Sequence, residues 1–349
     1  MIWCLKPLTI VRGFFYFFTI FSIFVDKFIK MESYTEKILI TGANGQIGTE
    51  LTLKLASIYG KENIIASDIY IKENVDLAGE HIILDVSDYQ AIENTIKKYN
   101  ISIVYHLASL LSGTSEKNPL LAWDINLNPL LHLCEMAKEG LIKRIFWPSS
   151  IAVFGKGIPR TNVGQEVPLN PTTIYGVTKV AGEKLCEYYH EKHNVDIRSI
   201  RYPGLISWKT PAGGGTTDYA VEIFYDAIEK GAYKSFIKEG TKMPMLYMDD
   251  AIDATIQLMQ APSENISVWT SYNLGGLSFS PEELAEEIKK IIPDFQMSYE
   301  PDFRQQIAES WPESIDDSTA KRDWQLKYNF GIKEMTEDMI KNLKIKLNK

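Results

Sequence analysis

The stretch Lys37-Ile-Leu-Ile-Thr-Gly-Ala-Asn-Gly-Gln-Ile-Gly48 joins a short apolar run to three glycines spaced three residues apart. The apolar run is typical of a buried β-strand. Gly42 permits a tight turn after it, Gly45 lets backbone amides approach a phosphate, and Gly48 allows a helix to pack closely on the strand. Because the N-terminus of that helix attracts anions, the stretch predicts a site for the pyrophosphate of a dinucleotide. The other predicted contacts of the turn are Asn44, Gln46 and Ile47. The alternative is a tight turn without a ligand.

Outward from this stretch, short β-branched runs alternate with longer amphipathic segments, which predicts βαβ units and a parallel sheet. The predicted strands are residues 37–41, 64–68, 81–84, 103–107, 144–149 and 196–202. The predicted helices are residues 46–59, 89–99, 126–139 and 175–193. The fold class is therefore α/β, with a Rossmann-type doubly wound parallel sheet.

The alternation stops after Tyr202, where loops rich in Pro and Gly begin. A helix near residues 218–230, a strand near residues 243–247 and a helix after Ser280 are predicted beyond it. Ser280 is the expected N-cap of the last helix, and Pro281 suits its first position. We therefore expect a dinucleotide-binding domain over residues 31–202. Residues 203–349 form mainly a smaller substrate-binding lobe, with some segments returning to the first domain.

Composition favours a globular protein that binds a small molecule. The chain has 349 residues, of which 45% are hydrophobic, and a net charge of -8. An acidic chain disfavours a general nucleic-acid-binding surface, since phosphate binding needs a basic face. The three cysteines are far apart and lack zinc-ligand spacing, so we expect a reducing compartment and no metal.

The first thirty residues are unlike the rest of the chain. Residues 13–25 form an aromatic, apolar run of thirteen residues, which is short for a membrane span of about 20 residues. A signal-peptide cleavage pattern is missing. We expect residues 1–30 to lie outside the fold and the protein to be cytoplasmic, with translation from Met31. The alternatives are a membrane tether and a mitochondrial targeting segment. We expect contact with a membrane only if this N-terminal extension is translated.

Two carboxylates follow the second and third predicted strands. Asp68 lies 20 residues after Gly48, where a carboxylate binds the ribose hydroxyls of the adenosine and repels a 2′-phosphate. This position predicts NAD rather than NADP, and the alternative is a solvated loop aspartate. Asp85 is placed to reach the adenine edge or, alternatively, to cap a helix that begins near Ser87.

Tyr175 and Lys179 are four residues apart, so they share one face of a predicted helix. A phenol has a pKa of about 10, and a neighbouring cation lowers it towards the range of a general base. Ser150, at the end of a predicted strand, is expected to bind the substrate oxygen beside Tyr175. The three residues predict proton transfer at a hydroxyl or carbonyl group. By itself, the Tyr-Lys spacing also occurs by chance.

From Lys37 to the C-terminus the chain resembles the extended short-chain dehydrogenases/reductases. The motifs that carry the resemblance are Gly42-x-x-Gly45-x-x-Gly48, His106-Leu-Ala-Ser109, Asn126, Ser149-Ser-Ile-Ala-Val-Phe-Gly155, Tyr175-x-x-x-Lys179, Arg201-Tyr-Pro-Gly204 and Met248-Asp-Asp250. The resemblance implies NAD as cofactor and Ser150, Tyr175 and Lys179 as the catalytic set. It puts Ala108 against the cofactor and Pro203 beside the nicotinamide. Further positions expected around the cofactor are Val86, Leu107, Ser109, Asn126 and Tyr202, with Asn126 most often structural in the family.

Two longer stretches, Trp147-Pro-Ser-Ser-Ile-Ala-Val-Phe-Gly155 and Pro211-Ala-Gly-Gly-Gly-Thr-Thr-Asp-Tyr-Ala220, resemble family members that oxidise a small amino acid with NAD and without zinc. The resemblance implies that residues 213–217 form a mobile lid over the substrate; the alternative is a flexible connector. The implied substrate positions are Ser112, Ser150, Tyr175, Gly214, Thr216, Thr217 and Trp311. For Trp311 the alternative is ordinary packing.

Two other functions stay open from the sequence. One is an NAD-dependent sugar-nucleotide 4-epimerase or dehydratase, which shares the first domain; the other is a non-catalytic NAD-binding sensor. The resemblance also implies a homodimer formed by the helices over residues 126–139 and 175–193. Their predicted apolar contacts are Leu130, Leu133, Leu185 and Tyr189, and the alternative for these four is packing within one chain.

Overall fold

The computed structural model describes residues 36–72 and 78–349. Residues Lys37–Lys349 form one compact unit. The predicted extension over residues 1–30 lies outside the described residues, and the division at residues 202 and 203 stays a prediction. Among the residues described, no helix has the length and apolar character needed to cross a membrane.

The sequence expectation of alternating strands and helices is confirmed in the first half of the chain. Its strands are β1 (Lys37–Thr41), β2 (Ile64–Asp68), β3 (Glu80–Ile83), β4 (Ile101–His106), β5 (Arg144–Ser150) and β6 (Ile197–Tyr202). Its helices are α1 (Gln46–Tyr59), α2 (Tyr89–Tyr99), α3 (Ser112–Lys117), α4 (Pro119–Asn126), α5 (Asn128–Lys138) and α6 (Ile174–His193).

The second half contains shorter strands and several helices. Its strands are β7 (Gly204–Ile206), β8 (Ala232–Ser235), β9 (Met243–Tyr247), β10 (Tyr272–Asn273), β11 (Leu277–Phe279) and β12 (Gln296–Tyr299). Its helices are α7 (Tyr219–Lys230), α8 (Met248–Gln260), α9 (Pro281–Lys289), α10 (Arg304–Ser310), α11 (Ser318–Trp324) and α12 (Ile332–Lys346). As the sequence predicts, α9 begins after Ser280, whose backbone N–H donates to the Glu283 carboxylate at 2.9 Å.

A seven-stranded sheet organises the molecule, with the strand order β10-β6-β5-β4-β1-β2-β3. All six neighbouring pairs in it are parallel, which confirms the Rossmann-type sheet. Chain order reverses between β1 and β4, and the carboxyl ends of strands at such a point are where ligands bind in open α/β sheets. The glycine loop follows β1 at this point.

Apolar side chains from β1, β4 and β5 pack with those of α2, α5 and α6 in one buried cluster. A second buried cluster joins α7, α9 and α12 to the strands β7, β9 and β11. These three strands form a separate sheet, and β8 pairs with β12 in another. Because β10 returns to the large sheet beside β6, the second half is tied directly to the first.

The helix predicted over residues 126–139 is instead two helices. Only its first residue, Asn126, belongs to α4, and α5 begins at Asn128. Pro129 explains the break, because proline lacks an N–H group and suits the first turn of a new helix. Leu130, Leu133 and Tyr189 lie in the buried cluster, with Leu185 packed against it. For these four side chains the alternative, packing within one chain, is the one that the structure supports.

Candidate functional site

The glycine loop has the close contacts that the sequence predicts. Gly42 has a φ of +70°, and a Cβ there would lie 2.7 Å from the backbone nitrogen of Ala108. A Cβ on Gly48 would lie 2.2 Å from the carbonyl oxygen of Gly42. Gly45 precedes α1, and no side chain caps the first turn of that helix. Only glycine fits at positions 42 and 48, and the uncapped N–H groups of α1 suit a pyrophosphate.

Asp68 ends β2 beside this loop, as predicted. One carboxylate oxygen accepts the backbone N–H of Asn44 at 2.9 Å, and the other accepts that of Ile69 at 2.8 Å. The side-chain amide of Asn44 donates to the Tyr70 carbonyl at 2.7 Å. These bonds hold the carboxylate at the edge of the glycine loop, where it fits the ribose hydroxyls of a dinucleotide.

Asp85 lies on the surface after β3. Its carboxylate accepts the hydroxyl of Ser87 at 2.7 Å and the backbone N–H of Ser87 at 2.9 Å, which lowers the pKa of Asp85. The following helix, α2, is capped by Asp88, which accepts the Ala91 N–H at 3.0 Å. Asp88 therefore supplies the helix cap that was the alternative role for Asp85, and the contact of Asp85 with the adenine edge stays a prediction. Val86 is buried in the core.

His106 and Asn126 support the loop between β4 and α3. The ring nitrogen Nδ1 of His106 lies 2.7 Å from the Thr41 hydroxyl, and burial lowers the pKa of His106 to about 3. The buried Asn126 amide binds the backbone of Leu110 and the hydroxyls of Ser109 and Thr178. Asn126 thus has the structural role that the resemblance implies.

The Ser150 hydroxyl lies within hydrogen-bonding reach of the Tyr175 phenol, beside which the sequence predicts that Ser150 binds the substrate oxygen. Burial raises the pKa of Tyr175 to about 12, and the bond from Ser150 opposes this rise. The sequence expectation of a lowered pKa is therefore not met by the protein groups alone. The physical reason is that removing the phenolate from water costs more free energy than a hydrogen bond from one neutral hydroxyl restores.

Lys179 lies beneath Tyr175 on α6, with its ammonium nitrogen 5.4 Å from the centroid of the Tyr175 ring. The side chain is buried, donates to the Pro148 carbonyl at 2.7 Å and lies over the Trp147 ring. Burial lowers the pKa of Lys179 to about 7. The cation beside Tyr175 is thus held by strand β5.

One cavity of about 320 Å³ brings the glycine loop and the Ser-Tyr-Lys set together. The lining residues that the sequence had predicted for the site are Gly42, Gly45, Gln46, Ile47, Gly48, Leu107, Ser109, Ser150, Tyr175, Lys179, Tyr202, Pro203 and Thr217. Residues that sequence reasoning missed are Leu111, Pro148, Ser149, Gly204, Leu205 and Asp218. The cavity therefore joins a dinucleotide cradle to a proton-transfer group.

The glycine-rich loop over residues 213–217 reaches this cavity at its end. Thr217 and Asp218 line the cavity, whereas Thr216 is buried. The backbone N–H groups of Gly213, Gly214 and Gly215 all donate to one carboxylate oxygen of Asp218, at 2.7, 2.6 and 2.7 Å. Gly214 has a φ of +93°. Asp218 was visible in the sequence as the acid between a glycine loop and a helix.

Four predicted substrate residues lie outside this lining, namely Gly214 and Thr216 of the glycine-rich loop together with Ser112 and Trp311. Ser112 is the first residue of α3, beside Leu111, which does line the cavity. Trp311 lies in a different cavity, between residues 155–160 and α10, and it also packs against buried apolar residues. The packing alternative for Trp311 therefore describes its position better than a lid over the cleft.

A buried ion pair supports the ends of β5 and β6. Glu183 accepts the Ser149 hydroxyl at 2.6 Å and two Arg201 N–H groups at 2.9 and 2.8 Å. Arg201 also donates to the Asn273 side chain at 3.0 Å. This network, absent from the sequence predictions, fixes the strand end that carries Ser150. No group of three or more metal-ligating side chains occurs within residues 36–72 and 78–349.

A family model described as the NAD dependent epimerase/dehydratase family matches residues 38–275. An uncharacterized epimerase/dehydratase of Staphylococcus haemolyticus is 47% identical over 314 residues, which are 89% of this chain and 98% of that protein.

Two solved structures are similar over nearly the same region. The holo form of a GalE-like L-threonine dehydrogenase from Cupriavidus necator is 50% identical, with a TM-score of 0.86, covering 88% of this chain and 99% of that one. An L-threonine dehydrogenase from Clostridium difficile is 50% identical, with a TM-score of 0.87, covering 89% and 98%.

Proposed function

The chain belongs to the NAD dependent epimerase/dehydratase family of extended short-chain dehydrogenases/reductases. Within this family, we propose that it is an L-threonine 3-dehydrogenase. It oxidises the side-chain hydroxyl carbon of L-threonine with NAD, giving 2-amino-3-oxobutanoate and NADH. The observation that carries the proposal is the 50% identity to L-threonine dehydrogenases over almost the full length of both chains. The joined cradle and Ser-Tyr-Lys set support it.

The residues present fit NAD. The cradle at Gly42 and Gly48 excludes a Cβ, as close approach of a pyrophosphate requires. Asp68 presents a carboxylate at the ribose position, which disfavours the 2′-phosphate of NADP. When bound, NAD supplies the two-electron acceptor for the oxidation.

The chain's own residues handle the proton and the position of the substrate. Ser150 and Tyr175 lie within hydrogen-bonding reach of each other, and the threonine hydroxyl binds between them. Tyr175 then takes the hydroxyl proton as general base. Lys179, close beneath the phenol ring, supplies the nearby positive charge that favours the phenolate. Ser150 keeps the reacting oxygen in reach, which makes proton removal effectively intramolecular.

The product is a β-keto acid, which is chemically unstable. Loss of carbon dioxide gives aminoacetone, and cleavage by a thiol-dependent ligase gives glycine. We therefore place the reaction in threonine breakdown towards one of these two products. Measuring aminoacetone in a reaction without a second enzyme tests whether 2-amino-3-oxobutanoate is the product, because without a ligase this β-keto acid loses carbon dioxide.

The second candidate is a sugar-nucleotide 4-epimerase or dehydratase. It is favoured by the description of the staphylococcal relative as an epimerase/dehydratase. A sugar nucleotide carries a diphosphate, which calls for cations. Among the described residues that line the cavity, the cation is the buried Lys179 and the acid is Asp218. This charge pattern suits a zwitterion better. A sensor without activity has no use for the Ser150–Tyr175 pair.

One assay separates the three functions. Purified protein is incubated with NAD or NADP and with L-threonine, a UDP-sugar or no substrate, and NADH absorbance is followed. Among these combinations, we expect NADH to form only when L-threonine and NAD are both present. Epimerised or dehydrated sugar with no net NADH supports the second candidate, and NAD binding without turnover of either substrate supports a sensor.

We also propose that the enzyme is a cytoplasmic homodimer. Apolar side chains on α4, α5 and α6 are exposed, including Leu120, Trp123, Leu131 and Tyr188. They offer a better contact surface than the buried leucines predicted from the sequence. Light scattering of the purified protein tests the dimer: a monomeric mass contradicts it. Fractionation of cells tests the compartment, with a membrane-bound or mitochondrial protein contradicting it.

A further inference from the structure

The carboxylate of Asp218 is held in an unusual way for an acid at the start of a helix. Asp218 immediately precedes α7, where an aspartate ordinarily accepts N–H groups of the first helical turn. No such side-chain bond is present. Instead, one oxygen, Oδ2, accepts the backbone N–H groups of Gly213, Gly214 and Gly215. The glycine loop thus fixes the carboxylate on the cavity side of the helix end.

The second oxygen, Oδ1, is the chemically available one. Within the part of the chain that the structure describes, it accepts no hydrogen bond, while Asp218 itself lines the cavity. Asp218 is also the one acidic side chain among the described lining residues. The lining cation, Lys179, is already bound to the Pro148 carbonyl. A positively charged ligand group therefore has a single described counter-charge in this cavity.

We propose that Asp218 binds the ammonium group of the amino-acid substrate and so selects a β-hydroxy amine over a plain hydroxy acid. The assignment rests on the proposed function. In it, Oδ2 stays with the three glycine N–H groups, and Oδ1 accepts from the ammonium. The loop orients the carboxylate before the substrate arrives, which lowers the entropic cost of ordering this side chain on binding. The competing explanation is that Asp218 only fastens the glycine loop.

Two substitutions separate charge from fastening. Asp218→Asn keeps an oxygen that accepts the loop N–H groups but removes the negative charge, whereas Asp218→Ala removes both. Asp226→Asn is the matched control, since Asp226 lies on the same helix and pairs with Lys230 outside the cavity. Thermal unfolding and NAD binding are measured for every variant, so that loss of folding is recognised.

The test compares L-threonine with (R)-3-hydroxybutanoate, which has the same hydroxyl configuration but no ammonium. In Asp218→Asn we expect kcat/KM for L-threonine to fall about 10- to 100-fold, mainly through KM, as for loss of a charged hydrogen bond. The slow oxidation of (R)-3-hydroxybutanoate and the affinity for NAD stay near wild type. The preference for L-threonine over the hydroxy acid therefore collapses, while Asp226→Asn keeps it.

Three outcomes overturn the inference. An Asp218→Asn variant with the wild-type KM for L-threonine leaves only the fastening role, as does an equal loss for both substrates. In either case wild-type oxidation of L-threonine leaves the proposed function intact. If the wild-type protein forms no NADH from L-threonine although it binds NAD, both the proposed function and the role of Asp218 are contradicted.

Discussion

The ammonium nitrogen of Lys179 lies 2.7 Å from the carbonyl oxygen of Pro148, so the middle of α6 is tied to the end of β5. The bond joins the helix that carries Tyr175 to the strand that carries Ser150. It also keeps a cation in a buried position, where its pKa falls to about 7. The relative position of Ser150 and Tyr175 therefore depends on a group whose burial costs stability.

This cost predicts a pH-dependent stability. The folded pKa of Lys179, about 7, is below its ordinary value of 10.5, so between these values the unfolded chain binds a proton that the folded chain lacks. Raising the pH therefore favours folding, and the penalty is fully present below about pH 7. Relative to Lys179→Met, the wild-type free energy of unfolding should rise by roughly 3–4 kcal/mol from pH 7 to pH 10.

Guanidinium unfolding of cofactor-free protein at both pH values measures this difference. The control is Lys184→Met, which removes an exposed lysine from the same helix. Its difference from wild type should stay constant with pH. A constant difference for Lys179→Met as well would mean that the Lys179 ammonium is not penalised by burial.

Gly48→Ala should disrupt cofactor binding. The new Cβ would lie 2.2 Å from the Gly42 carbonyl oxygen, so the loop has to shift away from its pyrophosphate-binding form. We expect the Kd for NAD, measured by calorimetry, to rise at least about tenfold. Gly164→Ala is the control, because a Cβ there meets no atom within 4 Å. Equal NAD affinity in both variants would contradict the role of the glycine loop in binding the pyrophosphate of NAD.

Asp68→Ala should change cofactor preference. The carboxylate that favours ribose hydroxyls and repels a 2′-phosphate is lost, together with its bond to the Asn44 N–H. We expect the ratio of kcat/KM for NAD to that for NADP to fall about 10- to 100-fold. Wild-type protein that prefers NADP, or a variant with an unchanged ratio, argues against the role given to Asp68.

The buried Glu183–Arg201 pair predicts a non-additive effect on stability. Glu183→Gln leaves the Arg201 guanidinium buried without its bidentate partner, which should cost about 3–5 kcal/mol in the free energy of unfolding. Arg201→Met likewise leaves the Glu183 carboxylate without its partner, and the double variant Glu183→Gln with Arg201→Met removes both charges and should cost less than either single variant. Urea denaturation of the three variants measures this. If the loss in the free energy of unfolding of the double variant equals the sum of the two single losses, the prediction is contradicted.

Much of the fold was readable because its signals are local. The run from Lys37 to Gly48 fixes a strand, a turn and a helix start within twelve residues, and the bounds of β1, β2, α1 and α2 agree with those predicted. The break at Leu127 was missed because apolar spacing continues through it. Only Pro129 marks the new helix, and a proline near a helix start has more than one interpretation.

Contacts between distant segments were less readable. Ser150, Tyr175 and the glycine loop meet as predicted because the resemblance supplied their arrangement, which spacing alone does not encode. The partnership of Glu183 with Arg201 depends on the pairing of β5 with β6, and the clasp of the glycine loop on Asp218 depends on a backbone conformation with Gly214 at positive φ. Both are set by three-dimensional structure.

The most direct test of the central claim is NADH formation from L-threonine by the wild-type protein and by Tyr175→Phe, with Tyr188→Phe as the control on the same helix. Loss of the phenolic oxygen removes the general base, so we expect kcat to fall about 1,000-fold while the Kd for NAD stays within about twofold. Threonine-dependent NADH formation that persists at the wild-type rate in Tyr175→Phe would contradict the account.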